Sequence, residues 1–361
     1  MSAAQRTTLS VGGLGEAGIL RILHRRFATV PGAQDWPAGT VGPGDDAAVV
    51  TAPDGRYVIT IDAMAQDRDF RLAWPAVPDA SGRVGAGFAS GYSTGWKAAA
   101  QNLSDLNAMS GVATGLLLAL TMPPSTPVTW VDGLAAGLAG AVQHLGAVRC
   151  RIVGGDLGSG EQIGLAVTAT GDLEGRPAML RTIHDPVESA DLVLCGRAGW
   201  AAAGLAVLET PRRELLDRLD AASVRRLAAL AAAAQLRPRP VLGAGRTAAQ
   251  GGALAMMDVS DGLQRDVGRL ADANGMQAEL DPDWVAREAK PLEVLARALG
   301  QDAHHWVTAG GEDYGLLAAL PSGAVIPPGF RRIGRLTAVG AGREGPGRDG
   351  NPDGGWDHFD S

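Results

Sequence analysis

Apolar and polar positions follow two periods along the chain, one near two residues and one near 3.6. The stretch 57–62 (YVITID) predicts a short buried strand ending on a carboxylate. Residues 96–109 have a helical pattern interrupted by polar Asn102, Ser104 and Asp105. The apolar run 113–121 predicts a strand, and 127–145, with Ala and Gly on one side, a helix. Further strands are predicted at 151–155, 163–170 and 192–195. Residues 212–236, rich in Ala, Leu and Arg, predict one helix stopped by Pro238 and Pro240. A strand at 253–258 runs into Ser260-Asp261-Gly262, which reads as a helix start, and 315–320 predicts a late strand. Residues 71–95 mix Pro, Gly and Ser with little period and predict an extended surface loop, as does the Gly-rich 338–355. This is a mixed α/β pattern. The boundary between domains 1–175 and 176–361 is placed at the LEGR stretch, 173–176.

Composition narrows the classes. A length of 361 residues favours two domains, and 46% apolar residues supply real cores. Aromatics are only 4%, so Ala, Leu and Val must fill those cores. The 51 glycines show no Gly-X-Y period, which excludes collagen. A net charge of −7 argues against a dedicated nucleic-acid binder. Cys150 and Cys195 lie far apart in apolar stretches, which excludes a disulfide framework and favours a reduced, cytoplasmic setting with both thiols packed as small apolar groups. The apolar run 112–122 is too short to span a bilayer, and the first 20 residues lack the pattern of a signal peptide. The lysines are Lys97 and Lys290, neither in a G-x-x-x-x-G-K-[ST] loop, so a P-loop is ruled out.

The informative chemistry is a set of carboxylates in short Gly- or Ser-containing turns. They are Asp45-Asp46 in GPGDDAAVV, Asp62 after YVITI, Asp105 in QNLSD, Asp156 in VGGD, Asp258 and Asp261 in MMDVSDGL, and Glu312-Asp313 in AGGEDY. Each alone fits a turn or a helix cap. A carboxylate at the end of a buried strand is costly unless it meets a cation or several donors, and six such clusters in one chain favour a shared role. Hard oxygen ligands without nearby His or Cys pairs point to Mg²⁺, which usually serves phosphate chemistry. The G-x-G-x-x-G strings at 13–18 and 340–345 follow no convincing strand, so no Rossmann site is expected. His304-His305 reads as a loop pair, and no G-x-S-x-G elbow supports a hydrolase triad.

The order GPGDDAAVV, TID, NLSDLNAMSG, GGD, MMDVSDGL, GGEDYGLL, ending in GGWDHF, resembles the thiamine-monophosphate kinase family, within the superfamily that includes aminoimidazole-ribonucleotide synthetase. The resemblance implies a two-domain α+β fold with mixed sheets and helices packed on them. It implies ATP-dependent phosphorylation of thiamine monophosphate to thiamine diphosphate with several Mg²⁺ ions, in a homodimer built through the N-terminal domains. By position it implies Asp45, Thr60, Ile61 (through its carbonyl), Asp62, Asp105, Asp156, Asp258 and Asp261 as metal ligands, five of which, Asp45, Asp62, Asp105, Asp258 and Asp261, bear on catalysis. It implies Gly155, Asp156, Arg181 and Ser260 as nucleotide contacts, and Asp69, Glu312 and Trp356 as substrate contacts. Departures exist: Ala135 stands where the family has a tyrosine near the base, and 181–184 reads RTIH. The alternatives are a non-catalytic paralogue that binds nucleotide or thiamine phosphate, and another ATP-using member of the superfamily. A selenophosphate synthetase is disfavoured, since neither a Cys nor a Lys precedes Lys97.

Overall fold

In a computed structural model the described residues are 10–14, 16–30, 32, 52–79, 81, 83–88, 91–219 and 221–339. Asp45, Trp356 and the glycine string at 340–345 lie outside them. The elements of the first half are α1 (Val11–Leu14), α2 (Glu16–Phe27), β1 (Val58–Ala65), β2 (Ala73–Pro78), β3 (Val84–Phe88), α3 (Gly91–Ala108), β4 (Val112–Met122), α4 (Val128–His144), β5 (Arg151–Ser159) and β6 (Gly164–Asp172). Those of the second half are β7 (Ser189–Cys195), α5 (Trp200–Glu209), α6 (Arg212–Arg218), α7 (Ala222–Leu236), α8 (Ala244–Gln250), β8 (Ala255–Val259), α9 (Leu263–Ala273), β9 (Met276–Leu280), α10 (Pro282–Ala289), α11 (Glu293–Leu299), α12 (Ala303–Ala309), β10 (Gly315–Pro321) and β11 (Phe330–Ala338). The mixed α/β reading holds.

The described residues fall into two compact units. The first draws on 1–73, 88–102 and 113–172, and the second on 74–87, 103–112 and 173–361. In the first, β1, β6, β4 and β5 form a sheet in that order, with β1 antiparallel to β6 and β5 parallel to β4. Alternation decides its faces. Met64, Leu116, Leu118, Leu120, Leu165 and Val167 are buried, whereas Ile59 and Ile61 are 58% and 64% exposed. The YVITID stretch is thus an edge strand with one open face, not a buried strand, because an apolar strand on an edge reads like one in a core.

The described residues of 71–95 are not one loop. They hold the β2–β3 hairpin and the first turn of α3. Glycines explain why α3 starts inside a helix-poor sequence. A Cβ at Gly95 would sit 2.0 Å from the Leu134 carbonyl oxygen, and one at Gly137 would sit 2.0 Å from that of Tyr92. The glycines let the backbones of α3 and α4 meet, and that contact outweighs a helix penalty of about 1 kcal/mol per glycine.

In the second unit β8, β10, β7, β11 and β9 form an antiparallel sheet in that order. Its core packs Val193, Cys195, Met256, Leu316, Ala318 and Leu320 with Ala108 of α3 and Ala248 of α8. The helix expected over 212–236 divides into α6 and α7. His304 and His305 lie in α12 rather than in a loop, capped by the Asp302 carboxylate. Both cysteines are free and buried, and burial pushes the Cys150 thiol up to about 12, so it is inert.

Candidate active site

Within the second unit the MMDVSDGL motif crosses the end of β8. Asp258 is the penultimate residue of the strand, and the Ser104 hydroxyl of α3 donates to its Oδ2 at 3.1 Å. The α3 helix runs unbroken through Asp105, so that residue is no N-cap, and the NLSD stretch is set beside β8. Asn107 fastens the end of α3: its Oδ1 accepts the N–H groups of Gly243 and Gly245, each at 3.0 Å. The turn after β8 is held by Asp266. Its fully buried Oδ2 accepts from the backbone N–H groups of Ser260 and Asp261, each at 3.0 Å, and Arg269 bridges Asp266 and Asp261. Desolvation, then the nearby Asp261 charge, raise the Asp266 pKa. Ser260 and Asp261 do not cap α9 with their side chains; Gly262 is the N-cap, and a Cβ there would press on the Ala309 carbonyl oxygen.

The GGEDY loop closes onto the same turn. Glu312 N–H donates to the Ser260 carbonyl at 2.7 Å, and Tyr314 N–H to that of Val259 at 3.1 Å. Glu312 and Tyr314 both have positive φ, at 67° and 52°. The Asp313 carboxylate accepts from the N–H groups of Gly199 and Ala201, at 2.6 and 2.9 Å, where α5 begins. The Gln235 amide of α7 donates to the Glu312 carboxylate. Arg181 is exposed, and its backbone is tied to Asn274 through the Arg181 carbonyl.

In the first unit Thr60 and Asp62 lie on the partly buried face of β1, opposite Ala169 and Val167, while Ile61 faces outward. Gly155 and Asp156 are exposed positions of β5, opposite Leu118 and Ala119. A Cβ at Gly155 would sit 2.0 Å from the Leu118 carbonyl oxygen, so only glycine fits that bulged pairing. Asp62 and Asp156 occupy opposite edges of the sheet, about 14 Å apart at a spacing of about 4.8 Å per strand, and one chain does not bring them together. Asp69 turns its carboxylate back onto the Ala65 N–H at 2.7 Å, and its carbonyl accepts from the buried Lys97 ammonium at 3.0 Å.

A protein-family model described as AIR synthase related protein, N-terminal domain, matches residues 44–173. The thiamine-monophosphate kinase of Mycobacterium tuberculosis (strain ATCC 25618 / H37Rv) is 37% identical over 296 residues, covering 82% of this chain and 79% of its own. The chain belongs to the thiamine-monophosphate kinase family. Its relative in Corynebacterium glutamicum is 34% identical over 330 residues, covering 91% of this chain and 88% of its own. A solved structure of AaThiL complexed with AMPPCP and TMP has a TM-score of 0.64 at 23% identity, covering 98% of this chain and 100% of that one, and so shares the fold.

In this kinase-family chain the acidic motifs were legible because they are local. Asp266, Arg269, Asn107 and Gln235, which hold those motifs in place, were missed. A signal existed only for Asp266 and Arg269, on one helical face after the SDGL turn. The donor set is carboxylate, hydroxyl and carbonyl oxygen, which suits Mg²⁺. Among the described residues no three His, Cys, Asp or Glu groups converge closely enough to hold an ion unaided.

Proposed function

We propose that this chain transfers the γ-phosphoryl group of ATP to thiamine monophosphate, giving thiamine diphosphate, with Mg²⁺ and without a phospho-enzyme. The observation that carries the reading is 37% identity to a thiamine-monophosphate kinase over four-fifths of the chain. The AMPPCP and TMP held by a protein of the same fold support the substrate pair. Donor and acceptor are both anionic phosphates, so their repulsion is the obstacle. Bound Mg²⁺ would neutralise phosphate charge and steady the transferring group. Asp45, Asp62, Asp105, Asp156, Asp258 and Asp261 are the proposed holders of those ions, with the Thr60 hydroxyl and the Ile61 carbonyl. Gly155 is assigned to the nucleotide with Asp156, Ser260 offers its hydroxyl, and Arg181 a planar, permanently charged fork for phosphate oxygens. Asp69, Glu312 and Trp356 are assigned to the thiamine moiety. The acceptor is already an oxyanion near neutral pH, so an in-line attack needs no strong general base.

We assign nucleotide and metal binding together with dimerisation to residues 1–175, completion of the active site to 176–361, and a cytoplasmic location to the whole. The open apolar face of β1 supports a homodimer through the first unit. Among the described residues no helix is long and apolar enough to cross a membrane. The test is ADP release and thiamine diphosphate formation from ATP, Mg²⁺ and thiamine monophosphate by the purified chain. Activity should vanish on chelation and return with Mg²⁺. Turnover with a different acceptor only would overturn the substrate assignment, and saturable binding of both substrates without product would favour a non-catalytic paralogue.

A further inference from the structure

The GGEDY loop is fastened more heavily than a connection between α12 and β10 requires. Its backbone is tied to Val259 and Ser260, and Asp313 is tied to the start of α5. Two non-glycine residues, Glu312 and Tyr314, are held at positive φ. Such strain persists only where the surroundings over-determine it, and it concentrates at ligand-handling sites. A further tie is on the Glu312 side chain itself. Gln235, only 4% exposed near the end of α7, donates its amide to one oxygen of that carboxylate. Its place is set by close helix packing: a Cβ at Gly204 of α5 would sit 2.1 Å from the Ala231 carbonyl oxygen and 2.9 Å from Gln235 Cβ. A glutamine partner orients a carboxylate without adding charge, unlike a lysine or arginine at the same place. The result is an oriented acidic group, next to the Asp258–Asp261 turn, suited to a cationic or amine-bearing heterocycle.

We propose that Gln235 is a specificity-determining positioning residue, whose buried amide aims the Glu312 carboxylate at the thiazolium and aminopyrimidine portion of the phosphate acceptor. The inference rests on the thiamine monophosphate reading above. Gln235→Met keeps length and packing but removes the donor. Loss of a hydrogen bond to a charged group corresponds to roughly a ten- to hundredfold change. The KM for thiamine monophosphate should therefore rise at least about tenfold, while the KM for ATP and kcat stay within about twofold. Gln235→Glu supplies a second readout that does not depend on the first variant folding. Two touching carboxylates share a proton at low pH, so this variant should resemble the wild type near pH 6 and lose acceptor affinity toward pH 8.5. Unchanged KM values, or acceptor and ATP KM values rising together, would overturn the role of Gln235 while leaving the kinase reading intact. If the wild type instead turns over only another acceptor, the thiamine monophosphate assignment fails separately. Calorimetry with thiamine monophosphate then decides: weaker binding by Gln235→Met upholds the role, and equal affinity overturns it.

Discussion

Asp313 carries a pH-dependent consequence. Desolvation, the largest cause, pushes its pKa up to about 7, against three opposing backbone hydrogen bonds and with a further push from Glu288. The folded pKa lies above the ordinary value of 3.8, so the folded state keeps a proton that the unfolded state releases. The contribution to stability is complete below the ordinary value and is lost as pH climbs through about 7. In Asp313→Asn nothing titrates there. The melting temperature of the wild type relative to this variant should be most favourable near pH 4.5 and decline toward pH 8; a flat difference would contradict the assignment. At this scale the sequence named Glu312 and Asp313 but not what they touch. Their partners lie 77 residues away at Gln235 and 114 away at Gly199, beyond any local pattern.

Among the elements, α3 has the most to explain. Gly91, Ser93, Thr94 and Gly95 lower helix propensity, which is why the sequence reads as loop up to residue 95. The structure places both glycines directly on the α4 backbone. Gly95→Val should cost about 1–3 kcal/mol in urea unfolding, the usual range for overpacking a tight interface. Because α3 continues into Ser104 and Asp105, the same variant should also weaken activity more than Gly146→Ala. Gly146 has open space around it but a φ of 79°, so that control costs backbone strain alone. Strands were easier to read. The runs forming β4, β6, β8 and β10 are apolar over most of their length, whereas the short amphipathic helices α10 to α12 have too few turns to show a period.

For the whole molecule, the open face of β1 makes a separate prediction. Ile59 and Ile61 on this edge strand, and Tyr57 just before it, are each more than half exposed, an arrangement that invites pairing or burial. The wild type should sediment as a dimer, and Ile59→Asp with Ile61→Asp should shift it toward monomer with its secondary structure retained by circular dichroism. A monomeric wild type would remove the basis for dimerisation through the first unit.

The sequence by itself determined the order of acidic turns and the family, because both follow from residues adjacent in the chain. Only the tertiary structure decided which strand is an edge, where α3 begins and what steadies each carboxylate. Ser104 meets Asp258 across 154 positions, and such partnerships are settled by packing, which local periodicity does not encode.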